Sequence, residues 1–144
     1  MKCLKIIYKN SFTNYYLEYI YYYLLDMYTR FKNSLSVLDR KKEANKVLTS
    51  YPDRVPVIFE RDSTAPYHCP QIDRNKYLIP RNLTIGQFLL FIRDRMKFDP
   101  GQAIFLFVRG TMPPSGACID DIYQNYKDID DFLYITYTFE NTFG

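Results

Sequence analysis

The last two residues of the sequence, Phe143 and Gly144, have types that suit covalent chemistry. They follow a strand-like run, Phe132–Phe139, after three polar residues. Because glycine has no Cβ, a terminal glycine can enter a narrow enzyme channel and carry an activated acyl group past bulky side chains. This end of the chain is therefore suited to joining its carboxylate to another molecule. A frayed terminus that ends in glycine by accident is the alternative that these residues leave open.

The other reactive residue types form neither a catalytic nor a metal-binding pattern. The single histidine, His68, precedes Cys69 in a polar loop bounded by prolines, and sequence neighbours usually point apart. We therefore interpret the pair as a loop thiol and a solvated imidazole rather than a nucleophile and its base. The remaining cysteines, Cys3 and Cys118, lack C-x-x-C or metal-ligand spacing and are typical of reduced cytosolic thiols. With no phosphate loop or nucleophile elbow, we expect no enzyme activity, metal or cofactor.

Length and charge limit the class of protein. A chain of 144 residues suits one domain with a sizeable core. Its net charge of +3 is too small to indicate nucleic-acid binding, so we expect no nucleic-acid partner.

Residues 1–26 differ in composition from the rest of the chain. Tyrosine dominates residues 12–25, and Lys2, Lys5 and Lys9 precede that run. The run is too short and too polar to span a bilayer, and no small-residue cleavage site of a signal peptide follows it. We interpret residues 1–26 as an N-terminal extension that is disordered or not native. An interfacial helix is the functional alternative, because tyrosine favours the membrane–water boundary.

A helix is predicted to begin after Ser36. Asp39, three positions later, suits a capping box, and Tyr51-Pro52 ends the helix because the residue before proline avoids helical geometry. The apolar face of this helix consists of Val37, Leu38, Ala44, Val47 and Leu48. The basic residues that we expect to be left to solvent are Arg40, Lys41, Lys42 and Lys46.

Two strands are predicted next. Arg54–Arg61 alternates as a strand, in which Pro56 is tolerable only where no backbone donor is required. Asp62–Gln71 has the composition of a loop. Lys76–Ile79 is a short strand that ends at Pro80, which is typical of a sheet edge.

Helical and strand signals then alternate to the end of the chain. Thr84 with Gln87 suits a second capping box, and apolar residues at helical spacing follow it as far as Met96. Ile104–Val108 is a continuous apolar run and predicts a central strand buried on both faces. After a loop, residues 119–126 mark a short helix that precedes the final strand. The predicted order is strand, strand, helix, strand, helix, strand, preceded by helical material.

Five separated segments resemble the autophagy ubiquitin-like modifiers, the family of the GABA-receptor-associated protein and the microtubule-associated protein light chain. In chain order they are Tyr51–Ile58, Lys76–Pro80, Leu83–Phe88, Ile104–Val108 and Asp131–Ile135. The resemblance runs in register from about Met27 to Gly144, with a longer loop at Thr64–Pro70. It implies an α+β fold, a ubiquitin-like β-grasp with a four-stranded mixed sheet and additional N-terminal helices. It also divides the chain into the extension (1–26) and a modifier domain (27–144).

What the resemblance implies for function is a modifier rather than an enzyme. An activating enzyme would adenylate the Gly144 carboxylate with ATP, and a conjugating enzyme would then carry the chain as a thioester. The final acceptor would be the amine of phosphatidylethanolamine, and a cysteine protease would remove the lipid again. The protein would be cytoplasmic, and on autophagosome or other vesicle membranes when lipidated.

The resemblance also implies a peptide-binding edge at Lys76–Ile79. Cargo receptors with an aromatic-x-x-aliphatic motif would add a strand there by β-augmentation. The aromatic pocket would be lined by Glu43, Val47, Pro56, Lys76, Leu78 and Phe132. The aliphatic pocket would be lined by Tyr77, Ile79, Pro80, Leu83, Phe88 and Phe91. Acidic residues that flank the motif would be attracted by Arg54, Arg74 and Arg95.

A second function class remains open. A trafficking or cytoskeletal adaptor of the same fold would never be lipidated and would use Arg40–Lys46 to contact acidic partners such as tubulin tails. Asn75, Asp131 and the longer Thr64–Pro70 loop depart from the family pattern. These departures bear on which partners bind rather than on how they bind.

Overall fold

The computed structural model describes residues 30–66 and 68–139, together with Ile20 and Leu24. Within residues 30–139 the helices are α1 (Phe31–Ser34), α2 (Val37–Ser50), α3 (Ile85–Met96) and α4 (Ile119–Tyr126). The strands are β1 (Arg54–Arg61), β2 (Lys76–Pro80), β3 (Phe105–Phe107) and β4 (Leu133–Thr138). The predicted order of elements is confirmed.

The four strands form one mixed sheet in the order β2-β1-β4-β3. β1 pairs antiparallel with β2 and parallel with β4, and β3 pairs antiparallel with β4. β1 and β4 are therefore the central strands, and β2 lies at an edge as predicted.

The prediction that Ile104–Val108 is a central strand is wrong. β3 occupies Phe105–Phe107 and lies at the edge of the sheet, beside β4. Leu106 and Phe107 are nevertheless both buried, so both faces of this edge strand are covered. An apolar run reports which faces of a strand are buried, but it carries no information about hydrogen bonding along the strand's edges.

Local signals set the ends of the helices as predicted. The Ser36 side chain accepts a hydrogen bond from the backbone amide of Asp39 at the start of α2. Thr84 and Gln87 form a reciprocal capping box at the start of α3. α2 ends at Ser50, directly before Tyr51-Pro52.

The main core lies between the sheet and helices α3 and α4. Phe59, in the centre of β1, stacks on Tyr137 with ring centroids 4.8 Å apart and meets Phe88 edge-on at 5.4 Å. Ile119 and Ile122 from α4 are buried in the same cluster. Each aromatic pair contributes roughly 0.5–1.5 kcal/mol beyond the area that it buries.

The opposite face of the sheet is covered by α1 and α2. Phe31, Ala44, Ile58 and Phe132 form a smaller buried cluster there. Phe31 meets Phe132 edge-on, with ring centroids 5.0 Å apart. Its backbone amide also donates to the Glu60 carboxylate at 2.9 Å. The segment before α2 is therefore fixed to β1 and to the start of β4.

Arg40 is not left to solvent, which corrects the prediction for the basic face of α2. It is only 6% exposed, and its Nε donates to the carboxylate of the fully buried Asp130 at 2.8 Å. Its Nη1 donates to the carbonyls of Lys32 and Leu35 at 2.8 and 2.7 Å. The partner carboxylate lies 90 positions away in sequence, so helical periodicity alone did not indicate it.

The apolar face of α2 is also narrower than predicted. Val37 and Leu38 are 42% and 69% exposed, whereas Ala44 is fully buried. The helix therefore contacts the sheet mainly through its central and C-terminal part.

None of the helices in the described part of the chain is long and apolar enough to cross a membrane.

Candidate functional site

The candidate site begins with the free edge of β2. In the described sheet, β2 has β1 as its single neighbour, from Pro80 opposite Arg54 to Lys76 opposite Ile58. Backbone groups on its other side are therefore available to an added strand. This is the geometry that β-augmentation requires.

A cavity of about 100 Å³ lies beside this edge. It is lined by Glu43, Val47, Pro56, Lys76, Tyr77, Leu78 and Phe132. The structure therefore brings together all six residues predicted for the aromatic pocket. Tyr77 also lines this cavity, whereas the resemblance placed it in the aliphatic pocket.

Pro56 lies where β1 has no partner residue on β4. Pairing between β1 and β4 begins only at Val57 opposite Leu133, so β4 does not extend alongside Pro56. Proline has no backbone N–H, and at this position no hydrogen bond between β1 and β4 requires one. Phe132, which precedes β4, and Val47 from α2 form the other walls of the cavity. The requirement predicted for Pro56 is met.

The rim of the cavity is charged but locally neutralised. Lys76 Nζ lies 2.6 Å from the Glu43 carboxylate and 5.0 Å from the centre of the Phe31 ring. Both side chains of the ion pair are partly exposed, so the pair contributes at most about 1 kcal/mol. Phe31 was not predicted for the site. Its signal in the sequence is an aromatic residue five positions before Ser36, the cap of α2.

The residues predicted for the aliphatic pocket differ in burial. Tyr77, Ile79 and Phe88 belong to the main core, and Leu83 packs partly buried against it. Phe91 is 44% exposed and meets Tyr77 edge-on at 6.1 Å. Of the residues predicted for the aliphatic pocket, Phe91 is therefore the most exposed to a ligand.

Tyr77 joins the two halves of the site. Its ring also contacts Phe59 at 6.4 Å, and the guanidinium of Arg95 lies 5.9 Å from the ring centre. Its hydroxyl is buried and has no hydrogen-bond partner among the described residues. A polar ligand atom that reached this hydroxyl would relieve an unsatisfied group.

The three predicted arginines are exposed at separate points around the edge strand. Arg54 Nη1 donates weakly to the carbonyl of Leu78 at 3.3 Å. Arg74 lies two positions before β2, and Arg95 lies in the last turn of α3. Exposed charges of this kind mainly guide encounter and register rather than supply affinity.

The two residues predicted to depart from the family pattern each contribute a backbone carbonyl to a hydrogen bond. The Asn75 carbonyl accepts a hydrogen bond from the backbone amide of Phe59 at 2.8 Å. Asp131 adopts a left-handed backbone conformation with φ at 66°, and its carbonyl accepts a 2.7 Å bond from the Tyr123 hydroxyl. Burial is the largest influence on this hydroxyl and raises the pKa of Tyr123 to about 12.

Cys69 is a core residue rather than a loop thiol in solvent, which corrects that part of the prediction. Its side chain is 0% exposed, whereas His68 is exposed. Burial raises the pKa of the Cys69 thiol, which lowers its reactivity. Cys69 and Cys118 are free thiols.

Two predicted features lie outside the described residues. Gly144 belongs to residues 140–144, and the extension at 1–26 is described only at Ile20 and Leu24. The last described residue before the C-terminal tail is Phe139, whose ring meets Phe98 edge-on at 5.1 Å. Phe139 directly follows the end of β4 at Thr138.

Comparison with known proteins gives a consistent result. The family model described as "Autophagy protein Atg8 ubiquitin like" matches residues 39–144. Autophagy-related protein 8 of Mycosarcoma maydis is 47% identical over 118 residues, which are 82% of this chain and 98% of that protein. The protein of the same name from Schizosaccharomyces pombe is 45% identical, covering 82% and 96%.

The fold comparison agrees with the sequence comparison. The crystal structure of Trypanosoma brucei ATG8 superimposes with a TM-score of 0.73 at 39% sequence identity. The match covers 81% of this chain and 98% of that one.

Proposed function

Because the chain belongs to the Atg8 family of ubiquitin-like autophagy proteins, we propose that it is conjugated through Gly144 to phosphatidylethanolamine and recruits cargo receptors through the β2 edge. The family consists of ubiquitin-like modifiers rather than enzymes, and the predicted ubiquitin-like β-grasp is confirmed.

The proposed conjugation has four steps. A carboxylate oxygen of Gly144 attacks the α-phosphorus of ATP on an activating enzyme, and pyrophosphate leaves. An enzyme cysteine thiolate then displaces AMP to form a thioester, which passes to the thiol of a conjugating enzyme. The amine of phosphatidylethanolamine attacks this thioester and loses a proton, and the thiol leaves. A cysteine protease hydrolyses the resulting amide and regenerates the Gly144 carboxylate.

Lipidation would place the cytoplasmic protein on autophagosome or other vesicle membranes. A diacyl lipid buries many methylene groups at about 0.8 kcal/mol each, more than a single acyl chain provides. This anchor would need no membrane-spanning helix. It would leave the β2 edge available to partners in the cytoplasm.

The cavity beside the free edge of β2 is the observation that carries the receptor-binding proposal. Apolar walls from Val47, Leu78 and Phe132 suit an aromatic side chain. The partly exposed Phe91 and Leu83 suit an aliphatic residue farther along the added strand. An aromatic-x-x-aliphatic motif would therefore place one anchor in each half of the site.

The non-lipidated adaptor remains the second candidate, with weaker support. Lys41, Lys42 and Lys46 are exposed on α2 and line a shallow surface groove, which suits acidic partners such as tubulin tails. However, Arg40 points inward to Asp130, so the basic surface is smaller than the sequence indicated.

Substitution of Gly144 by alanine tests the proposed conjugation. We expect G144A to form little or no lipid adduct, because a Cβ at the reacting residue would obstruct a narrow enzyme channel. The measurement is a reconstituted reaction with both enzymes, ATP and phosphatidylethanolamine vesicles, followed by intact mass. Wild type is the positive control, and unchanged peptide affinity would show that the variant is folded. A variant that still gains the mass of the lipid would contradict the proposal.

A further inference from the structure

The pairing register decides which backbone groups of β2 face its free edge. In an antiparallel pair, opposite residues alternate between those that exchange backbone hydrogen bonds and those that do not. The amide of Phe59 donates to the carbonyl of Asn75 at 2.8 Å, one position beyond the last pair of β1 and β2. Every second residue from Asn75 bonds to β1 in the same way. The residues between, Lys76 and Leu78, therefore turn their amides and carbonyls to the free edge.

Arg54 occupies one of these edge groups. It lies opposite Pro80 in the register and is a diagonal neighbour of Leu78 on the same face of the sheet. Its Nη1 donates to the Leu78 carbonyl at 3.3 Å. The carbonyl of Pro80, the next residue on this side of the strand, accepts the amide of Leu83 at 3.1 Å. An added strand would therefore meet the Arg54 guanidinium at the carbonyl in the middle of β2.

The bond from Arg54 is weak enough to be exchanged for another. Arg54 is exposed, and no carboxylate pairs with it among the described residues. Lys76 differs, since its Nζ lies 2.6 Å from the Glu43 carboxylate. A long hydrogen bond between groups in contact with water contributes little, and charged side chains along an edge strand commonly protect it from unwanted pairing. Arg54 is therefore a removable cation at an acceptor that an added strand requires.

Displacement of Arg54 distinguishes between two kinds of peptide. An added strand brings its own N–H to the Leu78 carbonyl in the plane of the sheet, and the planar guanidinium beside that oxygen turns away to admit it. A carboxylate on the added strand gives the guanidinium a shorter, charge-assisted hydrogen bond in exchange. A peptide with uncharged side chains displaces the guanidinium without supplying such a partner. Specificity commonly arises from an element of this kind, which disfavours the wrong partner.

We propose that Arg54 determines specificity at the β2 edge: it opposes the addition of uncharged strands and admits strands that carry a carboxylate between their two anchors. The middle of β2 lies between the aromatic pocket and the residues predicted for the aliphatic pocket, so the carboxylate belongs at one of the two variable positions of the motif. The proposal rests on the proposed function, because it assumes that receptors bind at this edge. It goes beyond charge attraction, which would leave the affinity for an uncharged peptide unchanged when Arg54 is removed.

Calorimetry with two matched peptides tests this role. Both have blocked termini and carry tryptophan and leucine as anchors, with two glutamates between the anchors in one peptide and two glutamines in the other. We expect Arg54→Ala to bind the glutamine peptide about threefold more tightly than wild type and the glutamate peptide about threefold more weakly, as suits an exposed interaction. Because Arg54 is exposed, the variant should unfold within about 2 °C of wild type.

Arg74→Ala is the matched control, because it removes the same charge from an exposed arginine two positions before β2. No hydrogen bond joins Arg74 to an edge carbonyl in the described part of the chain. We expect this variant to bind the glutamate peptide more weakly than wild type and to show no gain for the glutamine peptide. A gain confined to Arg54→Ala separates cover of the Leu78 carbonyl from a general loss of positive charge.

Two results would overturn the proposal: a glutamine peptide that binds Arg54→Ala no more tightly than wild type, or an equal gain for Arg74→Ala. Failure of the proposed function is read separately, from the wild-type protein. A wild-type chain that binds neither peptide would contradict receptor recruitment through the β2 edge and, with it, this role of Arg54. A wild-type chain that binds both peptides, with no gain in the Arg54 variant, would leave recruitment intact and remove only the role of Arg54.

Discussion

At the residue scale, the candidate peptide site separates apolar anchors from exposed charges. Leu78 is half-buried in the wall of the cavity, beside Val47 and Phe132. Arg95 is exposed, and its guanidinium contacts the face of the Tyr77 ring. Buried anchors usually dominate the free energy of binding, whereas rim charges mainly affect encounter. Substitutions at these two positions should therefore have different consequences.

Replacement of Leu78 by alanine should weaken binding of an acidic aromatic-x-x-aliphatic peptide. Loss of an anchor of this kind costs more than about 1 kcal/mol, which corresponds to a fall in affinity of roughly fivefold or more. Arg95→Ala should have a smaller effect that decreases as salt concentration rises. Calorimetry of one peptide against wild type and both variants measures these differences. Equal affinities for wild type and the Leu78 variant would exclude this surface as the binding site.

At the element scale, α2 carries both buried and exposed basic residues, and the sequence pattern does not distinguish between them. Arg40 faces the sheet and reaches Asp130, which also accepts hydrogen bonds from the Tyr134 hydroxyl and the backbone amide of Phe132. Lys42, two positions later, is exposed. The buried network joins α2 to the start of β4, and β4 begins beside the cavity. We therefore expect the position of α2 to depend on Arg40 more than on the exposed Lys42.

Substitution of Arg40 by methionine should destabilise the protein strongly. Removal of one partner leaves the Asp130 carboxylate buried without its counter-charge, which typically costs about 3–5 kcal/mol. Lys42→Met is the matched control and should change the free energy of unfolding by less than about 0.5 kcal/mol. Urea unfolding monitored by circular dichroism measures both. Similar stabilities for the two variants would show that the Arg40–Asp130 pair does not hold α2 in place.

At the scale of the whole molecule, described packing against the sheet begins with Arg30 and Phe31. Arg30 donates to the carbonyl of Arg61 at 2.8 Å, and Phe31 is buried against Phe132. The same ring lies beneath Lys76 at the rim of the cavity. We therefore expect the residues just before α2 to contribute to the stability of the domain as well as to the site.

A protein that starts at Met27 should unfold within about 2 °C of the full chain, because Arg30 and Phe31 are retained. A protein that starts at Lys32 should unfold at a clearly lower temperature, since it loses the Phe31 ring from the smaller cluster. Thermal unfolding of the three proteins makes the comparison. A large drop in unfolding temperature on removal of residues 1–26 alone would show that the extension packs on the domain.

Membrane association of the unlipidated protein tests the other interpretation of the extension. Loss of this association in the form that starts at Met27 would favour an interfacial helix.

The sequence by itself determined the local elements of this protein. Helix starts at Ser36 and Thr84, the end of α2 before Pro52 and the short β2 strand all depend on neighbouring residues. Caps, prolines and side-chain periodicity act over a few positions, so they can be interpreted without knowledge of the fold. The residues of the aromatic pocket were predicted from resemblance to a family rather than from any local pattern.

Tertiary structure alone decided which distant residues meet. β3 lies at an edge although its residues are as apolar as those of a central strand, because strand order depends on pairing and not on burial. Arg40 is buried because Asp130 reaches it from the turn before β4. Cys69 is buried because its loop folds back over the end of the sheet. In each case the deciding contact joins segments far apart in sequence, whose approach is set by the packing of the whole domain.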